Sequence, residues 1–220
     1  MKKKYYALLA ATLGAVTFGS AFAAAPTASI KLSGTLSPPN CTVVMADDGE
    51  FGIGKISPTL IKPDKVAVLD PVEKELVVTC DASTYLTFSV IDNEKSSSAL
   101  SHKSAFGEGF VNGSGKLGYY QVLMSDAKVS LSSGSPEIPA RAFMATAGAI
   151  TPGDRIYLSG DAGDVTGWAD ASKNEMIAAQ LFKAKFTLTP TLASAKDMKG
   201  AITDDAAIAG SLTLNFKFGL

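Results

Sequence analysis

The sequence predicts an all-β protein, a sandwich or barrel of short strands. Three observations carry that reading. Apolar residues recur with a period of two in many separate runs, and clusters of Pro, Gly, Ser, Asn and Asp separate those runs. Helical periodicity is weak after residue 23. The length of 220 residues suits one such domain, and no tandem repeat, low-complexity tract or linker splits it.

The chain opens MKKKYYALLAATLGAVTFGSAFAAAP. Lys2, Lys3 and Lys4 form a basic n-region, Ala7 to Phe18 an apolar stretch, and Ala21-Phe22-Ala23 a small-residue cleavage site, the three parts of a secretory signal peptide. Gly, Ser and Thr interrupt the apolar run too early for a membrane anchor, which needs about 20 apolar residues. Cleavage after Ala23 is expected, because a cut after Ala25 would leave Pro26 beside the scissile bond. The expected division is a signal peptide over 1–23, an N-terminal extension over 24–38 and one β domain over 39–220. The mature chain is then exported, with no membrane insertion. The formal charge is −1 and becomes more negative once three lysines leave, and no basic patch with interleaved aromatics occurs. Nucleic acid and anionic membrane surfaces are therefore not expected partners.

The first run of the mature chain is TASIKLSGTLSPPNCTV. Ala28, Ile30, Leu32 and Leu36 fall on one side of an extended backbone with Gly34 in register, and Ser29, Lys31, Ser33 and Thr35 fall on the other. Taken alone, this reads first as the opening strand of a self-contained sandwich, since first strands usually pair within their own chain, and only second as a strand meant for another molecule.

Cys41 and Cys80 are the two cysteines. An even pair in an exported chain points to a disulfide. A redox pair would want close spacing such as C-x-x-C, and a zinc site would want more Cys or His than one distant histidine supplies. Closing a loop of this length limits the entropy of the unfolded chain by about 4 kcal/mol.

The remaining elements follow in order. KELVVTC (Lys74 to Cys80) reads as a more fully buried strand, and TYLTFSVID puts Leu86, Phe88 and Val90 on one face. GYYQVLM (Gly118 to Met124), DRIYLSG (Asp154 to Gly160) and AQLFKAKFTLTPTL (Ala179 to Leu192) alternate similarly. In the closing GSLTLNFKFGL, Leu212, Leu214, Phe216 and Phe218 alternate with Thr213, Asn215 and Lys217. SPPN, ADDGEFG, DNEKSSS, SSGSPEIP, TPGD and DAGDVTG are the intervening turn clusters, and ADASKNEM has room for a helical turn or two.

Catalytic chemistry finds little support, and no enzyme activity or cofactor is expected. His102 is the single histidine, in the polar stretch SALSHKSAFGEG. Neither Ser101 nor Ser104 sits in a nucleophile elbow, and G-x-S-x-G does not occur. A solvated loop histidine is the expectation. Asp161, Asp164 and Asp170 do not have the spacing of an EF-hand loop and read as solvated acids at a turn, with no metal site. GEGFVNGSGKLG lacks the glycine six before Lys116 and the following Ser or Thr of a phosphate loop, and reads as a flexible loop. Trp168 and the tyrosines could offer a sugar-stacking surface. Tyr119 and Tyr120, being adjacent, would face opposite ways, with one in the core.

Several of these pieces occur in an order that resembles the fimbrial (pilin) subunits of the chaperone–usher pathway. They are Ile30-Lys31-Leu32-Ser33-Gly34-Thr35-Leu36, then Cys41-Thr42-Val43, then Phe51-Gly52-Ile53-Gly54, then Cys80 at the end of ELVVTC. Within that group the chain is most similar to the GltF-like and YhcF-like fimbria-related proteins, through GTLSPPNCT, VVTCDA and KLGYY. The resemblance spans most of the mature chain, with its distinctive matches before Asp81. It departs at the C terminus: pilins commonly carry a tyrosine as the next-to-last residue, whereas this chain ends Phe218-Gly219-Leu220, with Gly210 closer to the end than the family pattern has its glycine.

The resemblance implies an immunoglobulin-like β-sandwich lacking its final strand, with a free N-terminal donor strand. Ala28, Ile30, Leu32, Gly34 and Leu36 would enter a neighbour's groove, and Leu212, Leu214, Phe216 and Phe218 would form one wall of this chain's own groove. The implied partners are a periplasmic chaperone, an outer-membrane usher and neighbouring subunits, and the implied location is the periplasm in transit and then a fimbrium on the cell surface. The alternatives are a fimbria-associated adhesin, whose loops around Trp168 and Tyr119 would contact a host glycan or surface receptor, and a free periplasmic binding protein.

Overall fold

The structure, a computed structural model, describes residues 27–220. The expected signal peptide and the start of the extension, residues 24–26, lie outside the described residues. The chain divides into two units, one ending at Ser37 and one running from Pro38 to Leu220. Within the first, residues 27–37 carry no regular secondary structure.

The second unit is built of strands. In chain order they are β1 (Cys41–Met45), β2 (Ala67–Val68), β3 (Val72–Thr84), β4 (Leu86–Asp92), β5 (Phe106–Gly107), β6 (Phe110–Val111) and β7 (Gly115–Lys116). There follow β8 (Gly118–Ser130), β9 (Ile138–Thr146), β10 (Ala149–Gly153), β11 (Arg155–Tyr157), β12 (Asp164–Asp170), β13 (Ala179–Leu192) and β14 (Leu212–Phe218). The all-β class is as the alternation predicts. Among the described residues no helix is long and apolar enough to cross a membrane.

Eight strands form a continuous antiparallel path in the order β1-β3-β13-β8-β9-β12-β4-β14, with β2, β5, β10 and β11 attached along it and β6 and β7 forming a separate hairpin. The path curls, because its two halves share one core. Leu76 and Val78 of β3, Phe182 and Phe186 of β13 and Met124 of β8 pack with Phe88 of β4 and Trp168 of β12. Rings meet across the two halves: Phe88 lies 6.1 Å from Phe186, and Trp168 lies 5.3 Å from Phe182, centroid to centroid. Burial of these large side chains is the main stabilising term, worth about 1.5–3 kcal/mol each.

A smaller cluster closes one end. Ala67, Leu117, Leu192, Ala193 and Met198 are buried there with Ile56, Ile61, Ile202 and Ile208 packed against them. These residues come mainly from the long β1–β2 connection and from the crossover of residues 193–211 that carries the chain from β13 to β14.

Four local expectations are corrected. TPGD is not a turn, since Thr151, Pro152 and Gly153 belong to β10 and pair with Met144, Phe143 and Ala142. β10 pairs with β9 alone, and an edge strand tolerates proline because one side of its backbone needs no ladder donor. The second half of DAGDVTG is likewise strand, opening β12 at Asp164. ADASKNEM forms no helix: Ala169 and Asp170 finish β12, and turns follow. The glycine-rich loop is packed rather than loose, because a Cβ on Gly115 would lie 2.0 Å from the Met198 carbonyl oxygen and one on Gly118 would lie 2.1 Å from that of Thr191. Gly115 and Gly118 serve close approach of backbone to backbone.

Candidate functional site

The last strand is amphipathic as its sequence requires. Leu212, Leu214 and Phe216 turn toward the main core, while Thr213, Asn215 and Lys217 are exposed. β14 pairs with β4 over its whole length, from Leu212 opposite Asp92 to Phe218 opposite Leu86. Both ends are pinned. Asn93 Nδ2 donates to Ser211 Oγ at 2.9 Å, and at the other end Thr87 Oγ1 donates to the Gly219 carbonyl at 2.6 Å. Among the described residues no strand pairs with the other edge of β14. Its core-facing side chains are only part-covered, and Phe218 is 49% exposed.

β1 ends the other side of the path. It pairs with β3, Cys41 opposite Cys80, and these two form the disulfide. Beside it, Asn40 donates from its backbone N–H and its Nδ2 to the two carboxylate oxygens of Asp81, at 2.9 and 3.0 Å. Those hydrogen bonds hold the Asp81 carboxyl below the ordinary carboxylate range. Cys41 and Met45 are part-buried against the core, and Val43 shares their side of the strand by alternation yet is 45% exposed. Val43 and Met45 are the members of this surface that motif reading missed. The alternation of Cys41, Val43 and Met45 was visible, but not the fact that this strand ends the sheet.

Among the described residues the curled sheet therefore ends on two strands, β1 and β14, each offering one unpaired row of backbone N–H and C=O groups and incompletely covered apolar side chains. Such edges favour addition of a further strand.

In the other unit, Ile30, Leu32 and Leu36 are fully exposed, and so are Ala28 and Gly34. The alternating run over 28–36 thus forms no strand, and the first strand among the described residues begins at Cys41.

The remaining candidates separate. Trp168 is fully buried, with its Nε1 donating to the Lys183 carbonyl at 2.8 Å, so it is core and not a sugar-stacking ring. Tyr120 is the buried member of its pair, and Tyr119 is half-buried. His102 is an exposed loop residue whose Nδ1 lies 2.9 Å from Ser104 Oγ. It lines a cleft of about 350 Å³ with Lys95, Ser101, Phe106, Lys116 and Asp161.

Asp164 is corrected from a solvated acid to a buried one. Thr146 Oγ1 and Ser159 Oγ donate to it at 2.5 and 2.7 Å, and Lys103 Nζ at 3.1 Å. Burial pushes its carboxyl upward, but these three donors and the lysine charge outweigh burial and hold it below the ordinary value. Among the described residues no three His, Cys, Asp or Glu side chains group as a metal site.

A wider cleft of about 580 Å³ is lined by Glu73, Lys74, Asp126, Lys128, Asp154 and Lys185 among others. Its charges are largely matched within the chain, since Lys185 pairs with both Glu73 and Asp126.

No protein-family model matches the chain, and no curated protein matches it.

Proposed function

We propose that this chain is a structural subunit of a fimbria, assembled by donation of a strand from one subunit to the next with the help of a periplasmic chaperone and an outer-membrane usher. The observation that carries this reading is the pair of open edges, β1 and β14, at the two ends of one curled sheet. On this reading β1, β3, β13 and β8 form one layer of an incomplete immunoglobulin-like sandwich, and β9, β12, β4 and β14 form the other. The missing strand belongs beside β14. Its place is floored by Leu212, Leu214 and Phe216, which are half-covered now.

The donor is the N-terminal run. Ala28, Ile30, Leu32 and Leu36 supply alternating apolar side chains, and Gly34 fits where the floor leaves no room for one. Burying Ile30, Leu32 and Leu36 in a neighbour contributes about 1.5–3 kcal/mol each, with ladder hydrogen bonds added. Donation from one copy to the next does not close on itself, so the product is a filament.

The test is assembly of Ile30→Asp and Leu32→Asp variants co-produced with a cognate chaperone and usher. The expected result is a normal chaperone-bound monomer and no fibre, because each substitution places a charge in an apolar cleft. Fibres of normal length from either variant refute the proposal.

A further inference from the structure

Glu108 lies between Gly107 and Gly109 just after β5 and is 1% exposed. Its Oε1 accepts a long hydrogen bond, 3.4 Å, from the Thr191 backbone N–H, and among the described residues its Oε2 has no hydrogen-bond partner. Among the described residues no lysine, arginine or histidine forms an ion pair with it. Glycine at 118 makes the place, since a Cβ there would stand 2.6 Å from Oε2.

The groups facing it offer no compensating positive charge. From β8 comes Tyr120, whose phenol is pushed upward by burial and then by the carboxylates of Asp92, Glu108 and Glu94. β13 presents Thr191, which is uncharged. Asp92 is itself engaged, accepting from the N–H groups of Glu94 and Gly107. The crossover meets the backbone of this segment through residues 207–210, Ala207 to Gly210, none of them charged. Burial accordingly pushes the Glu108 carboxyl up to about 7.

Two kinds of segment meet at Glu108: β8 and β13 flank its carboxyl at Gly118 and Thr191, and the crossover lies along its backbone. β8 and β13 are inner strands, paired on both sides. The crossover has no regular structure, and here it is fastened to the Glu108 segment by the Ala209 N–H, which donates to the Glu108 carbonyl at 3.0 Å. Gly210 then passes so close to Tyr120 that a Cβ would stand 2.2 Å from its ring. If the carboxylate is to be hydrated, the crossover is the part that can yield.

We propose that Glu108 and the crossover over residues 207–210 form a pH-sensitive clasp, closed while the buried carboxyl keeps its proton and released as the pH rises. The released state exposes Glu108 to water, where it ionises readily, so rising pH favours release until the closed state ionises as well. The crossover leads directly into β14, so the clasp governs how firmly the last strand is anchored at its Ser211 end. This inference stands apart from the fimbrial reading.

The test is hydrogen exchange of the Ala209 amide in the purified chain, corrected for the intrinsic pH dependence of exchange, with the Phe182 amide of β13 reporting global unfolding. Ala209 should be less protected than Phe182, as release short of unfolding requires. Between pH 6 and pH 8 its own protection should fall about tenfold in the wild type and stay level in Glu108→Gln. Wild-type protection of Ala209 that stays level or equals that of Phe182, or a variant that keeps the fall, overturns the proposal. Should Glu108→Gln fail to fold, NMR titration of the Glu108 carboxyl in the wild type decides. A midpoint near 7 together with the fall in Ala209 protection supports the clasp, and a midpoint near the ordinary 4.5 overturns it.

Discussion

Phe216 of the last strand stands with its ring 5.4 Å from that of Phe88, centroid to centroid, yet the two rings differ in cover: Phe88 is fully buried and Phe216 is half-open. Phe88 also touches Trp168 and Phe186, so it ties both halves of the sheet, whereas Phe216 has the core on one side only. Replacing Phe88 by Ala should cost about 3–5 kcal/mol, the usual figure for an aromatic ring deleted from a closed core. Phe216→Ala should cost about 1–2 kcal/mol in the free monomer, since only part of its surface leaves water. Urea unfolding of the two variants reads the difference. In a strand-complemented form the cost of Phe216→Ala should rise toward that of Phe88→Ala, and equal costs in both forms would mean that nothing covers Phe216.

The Cys41–Cys80 disulfide joins an edge strand to its single partner across a sequence separation of 39. Replacing both cysteines by serine should lower stability by about 4 kcal/mol, from the freed loop of the unfolded chain. β1 should fray first, since among the described residues β3 is its only neighbour in the sheet. Guanidinium unfolding gives the first quantity. Amide exchange at Thr42 and Val44, whose N–H groups face β3, compared with Val78, gives the second.

Much of this architecture was legible in the chain. The strand over Leu212–Phe218 and the face of Leu86, Phe88 and Val90 follow from period-two alternation, which depends only on local backbone geometry. The β9–β10 hairpin was hidden. Its two-residue turn has Ala147 and Gly148 at φ of 50° and 81°, and such a turn is usually marked by Asn-Gly, whereas Ala-Gly gives no signal. Asp164 looked solvated because its partners Thr146, Ser159 and Lys103 come from three other places in the chain. Glu108 was hidden for the same reason: GEG reads as loop until Thr191 and the crossover are brought onto it. The open edges belong to the same class, because which strands end a sheet is decided by the order of pairing and not by any one strand.

The Asp164 network should be felt on both mutation and acidification. Asp164→Ala leaves Thr146, Ser159 and Lys103 without their common acceptor and should cost about 2–3 kcal/mol. Its folded carboxyl titrates below the ordinary 3.8, so its contribution is complete above that value and is lost as the pH falls through the lower, folded one. The wild type should therefore lose stability steeply below about pH 4, and Asp164→Asn should lose less over the same interval. Thermal unfolding of both proteins between pH 2.5 and 5, about the range in which carboxylates titrate, checks the slope. Parallel curves would assign the acid sensitivity to other carboxylates.

Glu108 should give the opposite dependence, and the two are separable because they act over different intervals, Asp164 below 3.8 and Glu108 between 4.5 and about 7. Its folded carboxyl is raised from 4.5 to about 7, so the folded chain binds more protons than the unfolded chain between those values. The stability it contributes is present in full below 4.5 and is lost progressively as the pH rises to about 7, after which the loss levels off. The span corresponds to roughly 3 kcal/mol. Denaturant unfolding of the wild type and of Glu108→Gln at pH 5, 6, 7 and 8, about the interval this shift covers, should give curves that diverge in slope even where the variant is less stable throughout. The wild-type curve falls and flattens above about 7, and the variant's curve lacks that fall. A wild type whose stability is flat from pH 5 to 8, about the same interval, would show that water or a donor reaches Oε2 in the folded chain.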